Sequence, residues 1–480
     1  MIGQILPYLA GLATIAAMLG TAVHVIQCKQ DVRAAAGWLG LVWFAPVLGM
    51  LLYWTFGINR IKRRARIIFS DSRPGQPQQP LRAIQPERLP YQLGPGWEGL
   101  SRLAGLSERI TSQPLVAGNS FLPLVNGDRA YPVMIQAIQK ARRSVTLSTY
   151  IFGNDVWGKR FTKALGQARA RGVSVRVLID DIGARYSLPS ICRTLRREQV
   201  PVARFMRSFK PWRFRYYNLR NHRKIMVVDG RTGFTGGMNI QAGNVLADKP
   251  EHPIQDLHFR VDGPVVAELQ SAFCDDWKFT TGEILTGPKW FPEIKENGKA
   301  VARGISDGPD EDYDKLRFVL LGALSCAQDL IFIACPYFLP DRELCAGLKI
   351  AAMKGVRVTI LLPEKSNLKM VHWATWAGLK ELIQAGCSII LTPEPFEHSK
   401  VMLVDDMWIL LGSANWDPRS LQLNFEYNVE VYDRDLAETV KRVLEEKAFL
   451  GRELSLEQIQ EQPYLSRLRN QVFRLFSPYL

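Results

Sequence analysis

The sequence predicts an α/β protein of two duplicated domains, each a mixed, mostly parallel sheet flanked by helices, behind a two-helix transmembrane hairpin. Three observations carry this expectation. The runs Ile2–Ile26 and Ala34–Ile58 hold no charged residue, and each exceeds the roughly 20 apolar residues that cross a bilayer. A strand, helix, strand pattern occurs twice, about 180 residues apart, a period too long for a solenoid. Each copy then closes on the same polar motif.

The hairpin comes first. Two buried helices of a soluble core would keep a polar stripe, which these runs lack. A cleaved signal would end at a small-residue site, whereas Lys29, Asp31 and Arg33 lead straight into the second run. Trp38, Tyr53 and Trp54 lie toward the ends of that run, where aromatic belts form. His24, inside the first run, reads as a packed or interfacial residue. Arg60, Lys62, Arg63, Arg64 and Arg66 follow the second run. That basic flank places the remainder of the chain, and with two crossings the N-terminus, on the cytoplasmic side of the membrane, and it would hold anionic headgroups. Residues 1–66 are thus hairpin and flank. Residues 67–115 read as a proline-rich linker, densest in proline and glutamine over Ser72–Gly96.

The repeat follows, in domains 116–290 and 300–450. Each copy has a β-type run ending in a tyrosine (Tyr150, Tyr337), a phenylalanine close behind (Phe152, Phe338), then an aspartate (Asp155, Asp341). A helical run ends at a glycine (Gly172, Gly355) and a Val-rich strand follows, the parallel βαβ unit. Residues 451–480 form an amphipathic tail, with Leu465, Leu468, Val472, Leu475 and Phe476 on one helical face and Arg467, Arg469 and Arg474 elsewhere. A core-packing helix and an interfacial anchor both fit it.

The net charge of +15 and a pI near 9.5 favour an anionic partner, whether nucleic acid, acidic lipid or phosphorylated small molecule. Arg204–Arg223 interleaves basic and aromatic residues; beside a membrane hairpin, this mixture favours lipid over single-stranded nucleic acid. Seven scattered cysteines with no CxxC pair indicate neither a disulfide framework nor a cysteine zinc site, and suit a reducing compartment. His252, His258 and His372 lack a partner pattern and read as structural.

Both copies end in HxKxxxxD, six residues, then GxxN. The first is His222, Lys224, Asp229 with Asn239; the second is His398, Lys400, Asp405 with Asn415. His and Lys at i and i+2 of a strand share a face, so an imidazole and an ammonium enter one cavity. The glycine admits close backbone approach, and the asparagine supplies amide donors for an anionic oxygen. Two lysines and two asparagines would surround one phosphate, while two histidines supply acid, base and nucleophile. No metal or other cofactor is expected.

The doubled motif, in the contexts NLRNHRKIMVVDGRTGFTGGMNI and EHSKVMLVDDMWILLGSANWDPRSLQLNFEYNVEV, resembles the phospholipase D superfamily. The hairpin segment GWLGLVWFAPVLGMLLYWTFG is similar to that of bacterial cardiolipin synthases. The resemblance implies a phosphatidyltransferase that joins two phosphatidylglycerols into cardiolipin and releases glycerol. It implies catalytic roles for His222 and His398 and a phosphate clamp of Lys224, Lys400, Asn239 and Asn415, with Ser413 as a further donor. Asp229 and Asp405 belong to the catalytic motif, where they mostly buttress structure. Asp256 and Glu426 match acidic residues that orient the histidines. The copies differ at Gly237 and Ser413. A hydrolytic phospholipase D or a nuclease using the same site, and a catalytically silent lipid-binding scaffold, are the competing readings. Two intact motif copies oppose the scaffold, and the hairpin opposes the nuclease.

Overall fold

The structure, a computed structural model, describes residues 2–29, 32–57, 83–94, 98–206, 219–308 and 314–477. The basic flank, most of the proline-rich stretch and the centre of the Arg204–Arg223 segment lie outside these residues. The described residues divide into two compact units, the N-terminal stretch through residue 57 and the remainder.

In the N-terminal unit, α1 (Ile2–Cys28) is the one described helix long and apolar enough to cross a membrane. Leu9, Leu12, Ile15, Leu19, Val23 and Ile26 are exposed along it. The second apolar run is not one continuous helix. It forms α2 (Val32–Phe44) and α3 (Pro46–Leu52), followed by a π-turn over Tyr53–Gly57. The break falls at Ala45–Pro46 because proline has no N–H for the helical ladder and its ring clashes with the preceding turn. Thr21 and His24 of α1 meet the end of the second run. Trp54 Nε1 donates to Thr21 Oγ1 at 3.0 Å, and His24 Nδ1 lies 2.8 Å from the Tyr53 hydroxyl. His24 is therefore a packing partner, of the kind that ties helices together in lipid.

The larger unit carries the repeat. Its first half contributes β1 (Leu115–Val125), β2 (Ser144–Thr149), β3 (Ser174–Asp180), β4 (Val202–Phe205), β5 (Ile225–Val228), β6 (Thr232–Gly236) and β7 (Leu257–Asp262). The second half contributes β8 (Ala300–Asp307), β9 (Leu330–Ala334), β10 (Arg357–Pro363), β11 (Ser388–Thr392), β12 (Val401–Val404), β13 (Trp408–Gly412) and β14 (Asn424–Tyr432). In the first half β1, β7, β6, β5 and β2 pair antiparallel in that order, and β2, β3 and β4 pair parallel. The second half repeats this with β8, β14, β13, β12 and β9 antiparallel, then β9, β10 and β11 parallel. Antiparallel pairing of β1 with β8 joins the two into one mixed sheet.

The helices obey the same duplication. The first half has α4 (Asn126–Lys140), α5 (Val156–Ala170), α6 (Ile191–Arg197) and α7 (Val266–Thr281); the second has α8 (Lys315–Cys326), α9 (Arg342–Met353), α10 (Lys369–Gln384) and α11 (Arg434–Leu450), followed by α12 (Tyr464–Leu475). The repeated aspartates are N-caps: Asp155 accepts the Gly158 N–H and Asp341 the Leu344 N–H. The repeated glycines Gly172 and Gly355 end α5 and α9 at φ +88° and +94°, where a Cβ would be strained.

Strands β5 and β12, which follow the HxK pairs, are buried on both faces. Ile225, Val227, Val401 and Leu403 enter a core shared by the two halves, while Met226 and Val228 pack in the first half's own core and Met402 and Val404 in the second's. A strand covered on both sides must be a continuous apolar run, and both are. The stretch 67–115 is not linker throughout. Glu98–Thr111 is a helix whose Leu100, Leu103 and Ala104 pack with Leu316 and Leu320 of α8. Its three- and four-residue apolar spacing outweighs the composition around it.

Candidate active site

Each HxK pair is set in place by the other copy. Arg220–Asn221, just ahead of His222, pair parallel with Asn424–Phe425, just ahead of Glu426. Phe396–Glu397, just ahead of His398, pair with Ile254–Gln255, just ahead of Asp256. The His222 N–H donates to Phe425 O at 2.9 Å, and the His398 N–H to Gln255 O at 2.8 Å. These short bridges bring each histidine to the opposite copy's carboxylate. His222 Nδ1 lies 3.0 and 3.1 Å from the Glu426 oxygens, and His398 Nδ1 lies 2.7 Å from Asp256 Oδ2.

Both carboxylates are fully buried. Burial pushes their pKa values up, but the histidines and lysines they face pull them below the ordinary range, so both stay ionised. An ionised carboxylate only accepts, so each Nδ1 is the donor and each neutral imidazole keeps its lone pair on Nε2. Burial lowers the pKa of both imidazoles. Lys224 and Lys400 lower it further, the carboxylates oppose, and His398 falls to about 4. Lys400 bears on His222 and Lys224 on His398, so the two copies share one electrostatic site.

Lys224 and Lys400 are buried, and each Nζ donates to the carbonyl of the histidine two residues earlier. That contact uses one ammonium hydrogen and leaves two for an anion. Desolvation brings Lys224 down to about 7 and also lowers Lys400. A bound anion would reverse this by restoring a counter-charge. Asn239 Oδ1 accepts the Ile151 N–H at 3.1 Å, which reserves its NH2 for another partner. Asn415 Nδ2 stands 3.3 Å from Ser420 Oγ, and its Oδ1 has no partner among the described residues. A hydroxyl also donates, so a reversed amide would satisfy that oxygen and turn the NH2 free.

Placing Asp229 and Asp405 in the catalytic set, and Ser413 on the phosphate, needs correction, whereas the buttressing role of the two aspartates stands. Asp229 and Asp405 stand at the far ends of β5 and β12, each at φ +52°. Asp229 accepts the N–H groups of Arg142, Arg143 and Ser144, and Asp405 those of Gln328, Asp329 and Leu330. They anchor the turns that start β2 and β9 and lie outside the site. Ser413, expected to face phosphate, donates to Glu426 Oε2 at 2.5 Å and accepts the Tyr427 N–H. Its hydroxyl holds the carboxylate behind His222. In the first copy a Cβ on Gly237 would come within 2.3 Å of Asp256 Oδ1, which instead accepts the Leu257 N–H at 2.8 Å. The copies thus brace their acids differently.

Sequence reasoning assigned no role to Tyr150 and Tyr337. Their rings stand edge-on to His222 and His398, with centroids 5.3 and 6.2 Å apart. The signal was present, since both tyrosines close the first repeated strand. His258 is buried, its Nδ1 has no partner among the described residues, and burial lowers its pKa to about 4, so it remains a neutral core residue.

A duplicated α/β sheet whose two HxK pairs meet at the seam between copies is the architecture of the phospholipase D superfamily. The family described as "Cardiolipin synthase, PLD-like domain" matches residues 134–277 and 320–447, and "Phospholipase D-nuclease N-terminal" matches 16–57. The chain belongs to the cardiolipin synthase family. It is 33% identical over 450 residues to a cardiolipin synthase of Geobacillus kaustophilus, covering 92% of this chain and 88% of that one. It is 31% identical over 467 residues to cardiolipin synthase A of Pseudomonas fluorescens, covering 96% and 95%. Among solved structures, phosphatidylserine synthase of Haemophilus influenzae superposes with a TM-score of 0.63 at 16% identity, over 79% of this chain and all of that one.

Proposed function

We propose that the protein condenses two phosphatidylglycerol molecules into cardiolipin and glycerol through a phosphatidyl-histidine. The observation that carries this reading is the pair of imidazoles, each held at Nδ1 by a buried carboxylate and each with Nε2 left for chemistry. His222 Nε2 attacks phosphorus and His398 gives a proton to the departing glycerol oxygen. His398 then takes the proton of the incoming phosphatidylglycerol hydroxyl, which attacks the phosphohistidine and frees His222. Lys224, Lys400 and the amides of Asn239 and Asn415 hold the phosphate oxygens, and the bound diester's charge lets His398 protonate. Glu426 and Asp256 stabilise the cationic imidazoles.

The reaction takes place at a membrane entered by the N-terminal hairpin. The basic stretch Arg60–Arg66 supports a cytoplasmic location for the catalytic unit. The test is purified full-length protein with phosphatidylglycerol alone. Cardiolipin and glycerol in equal amounts support transfer; phosphatidic acid as the main lipid product would mean that water, not a lipid hydroxyl, reaches the intermediate.

A further inference from the structure

The tail helix α12 has two opposite faces, and the described residues cover only one. Asn470 is buried, Phe473 packs on Trp373 of α10 with ring centroids 4.9 Å apart, and Arg474 Nη1 donates to Ala377 O at 2.9 Å. Those residues fix the helix to α10. Leu465, Leu468, Val472 and Leu475, spaced three, four and three apart, run along the other side, flanked by Tyr464 and Phe476. Leu465 is 75% exposed and Leu475 78%. The core-packing reading of this stripe therefore fails, because a different face makes the core contacts.

Charge selects the occupant. Arg467 and Arg469 flank the stripe, and Arg469 is held over the Trp373 ring at 4.4 Å. Beside the stripe, between α10 and α12, is a cleft of about 430 Å³ lined by Trp376, Lys380, Tyr464 and Arg467. Pairing two copies through this face would bring arginines together, whereas an anionic bilayer meets both the cations and the apolar side chains. Rings and cations that line one cleft with Leu468 of the stripe are the mixture found at the headgroup-to-acyl boundary. The same chain also carries an apolar helix long enough to enter a membrane.

We propose that α12 lies in the interface of an anionic bilayer, its leucine stripe in the acyl boundary and Arg467 and Lys380 among the headgroups. This would be a second membrane contact, at the other end of the chain from the hairpin. It draws on the membrane reading of that hairpin but not on the reaction catalysed.

The test uses full-length protein in vesicles that are one-third phosphatidylglycerol, with exposed Cys28 replaced by serine. Spin labels are placed singly at Leu468→Cys, Leu475→Cys, Gln471→Cys and, in the hairpin, Ile15→Cys. Labels at 468 and 475 should collide with lipid-soluble oxygen and be shielded from an aqueous nickel chelate. The label at 471, beside the cleft that holds Arg467 and Lys380, should be more open to the nickel chelate than either. If the label at 15 is lipid-exposed while those at 468 and 475 meet the nickel chelate, the stripe is in water and the proposal falls, leaving the hairpin reading intact. Shielding from both reagents means a protein partner and also overturns it. Leu468→Asp with Val472→Asp should lower turnover on vesicles at least fivefold and leave it unchanged on detergent-dispersed lipid; equal loss on both would mark α12 as merely structural.

Discussion

Replacing Glu426 by glutamine probes the cross-copy pairing directly. The native carboxylate is fully buried and accepts from His222 Nδ1, Ser413 Oγ and Asn424 Nδ2. Glutamine offers one oxygen and one NH2. If the NH2 faces His222, Nδ1 must become an acceptor, the proton moves to Nε2 and the attacking lone pair is lost. If the oxygen takes the Oε1 place, facing His222 Nδ1 and Asn424 Nδ2, the NH2 meets Ser413 Oγ, whose hydroxyl loses its acceptor, and the charge that stabilised the imidazolium is still missing. Removing one partner of a buried ion pair costs about 3–5 kcal/mol, which as a barrier is roughly 150- to 5,000-fold in kcat. The assay is the initial rate of cardiolipin and glycerol formation from detergent-dispersed phosphatidylglycerol. Matched circular dichroism and melting curves would show that the fold persists. Substrate still meets both lysines, so KM should stay within a few-fold. A folded Glu426→Gln protein within tenfold of the parent kcat would refute the assignment of Glu426 to His222.

Further outcomes follow from the same geometry. His222→Ala and His398→Ala should each leave less than about a tenth of the turnover, a barrier increase above roughly 1.4 kcal/mol, as read by rate measurements on folded protein. Gly237→Ser should crowd Asp256, whose Oδ1 stands 2.3 Å from the Cβ position, costing about 1–3 kcal/mol in a melting assay and lowering kcat. The parent kcat/KM should fall as pH rises through about 7, where buried Lys224 loses its proton; a flat profile from pH 6 to 9 would contradict a charged-lysine clamp. Asp229→Ala removes the acceptor for three N–H groups. It should lower stability by about 1–3 kcal/mol yet leave kcat per folded molecule near parent, distinguishing an anchor from a proton carrier.

The duplicated architecture and the identity of the polar motifs were legible because they are local. A strand buried on both faces leaves an unbroken apolar run such as Ile225–Val228, and helix ends leave Asp155 and Gly172 at fixed offsets. What sequence could not supply was non-local. Asp256 and Glu426 were recognised as acids for the histidines, but that each serves the other copy depends on bridges between segments 142 and 204 residues apart. Ser413 was misplaced because a hydroxyl in a GxxN turn fits an anion or a carboxylate equally well until the packing is known. The break at Pro46 and the helix Glu98–Thr111 were hidden differently. Average hydropathy covered the proline in one case, and proline-rich surroundings masked an apolar period in the other.

The exchange of acids between copies also bears on the protein's synthesis. When the ribosome has made residues up to about 300, the chain already holds His222, Lys224 and Asn239. It lacks Glu426 to fix the His222 tautomer and Asn424–Phe425 to set the strand ahead of it. A nascent or truncated chain therefore has its first histidine unarmed. On the proposed assignment, competence arrives only once Asn424 and Glu426 have been made, within about the last eighth of the sequence, so incomplete copies hold an inactive site.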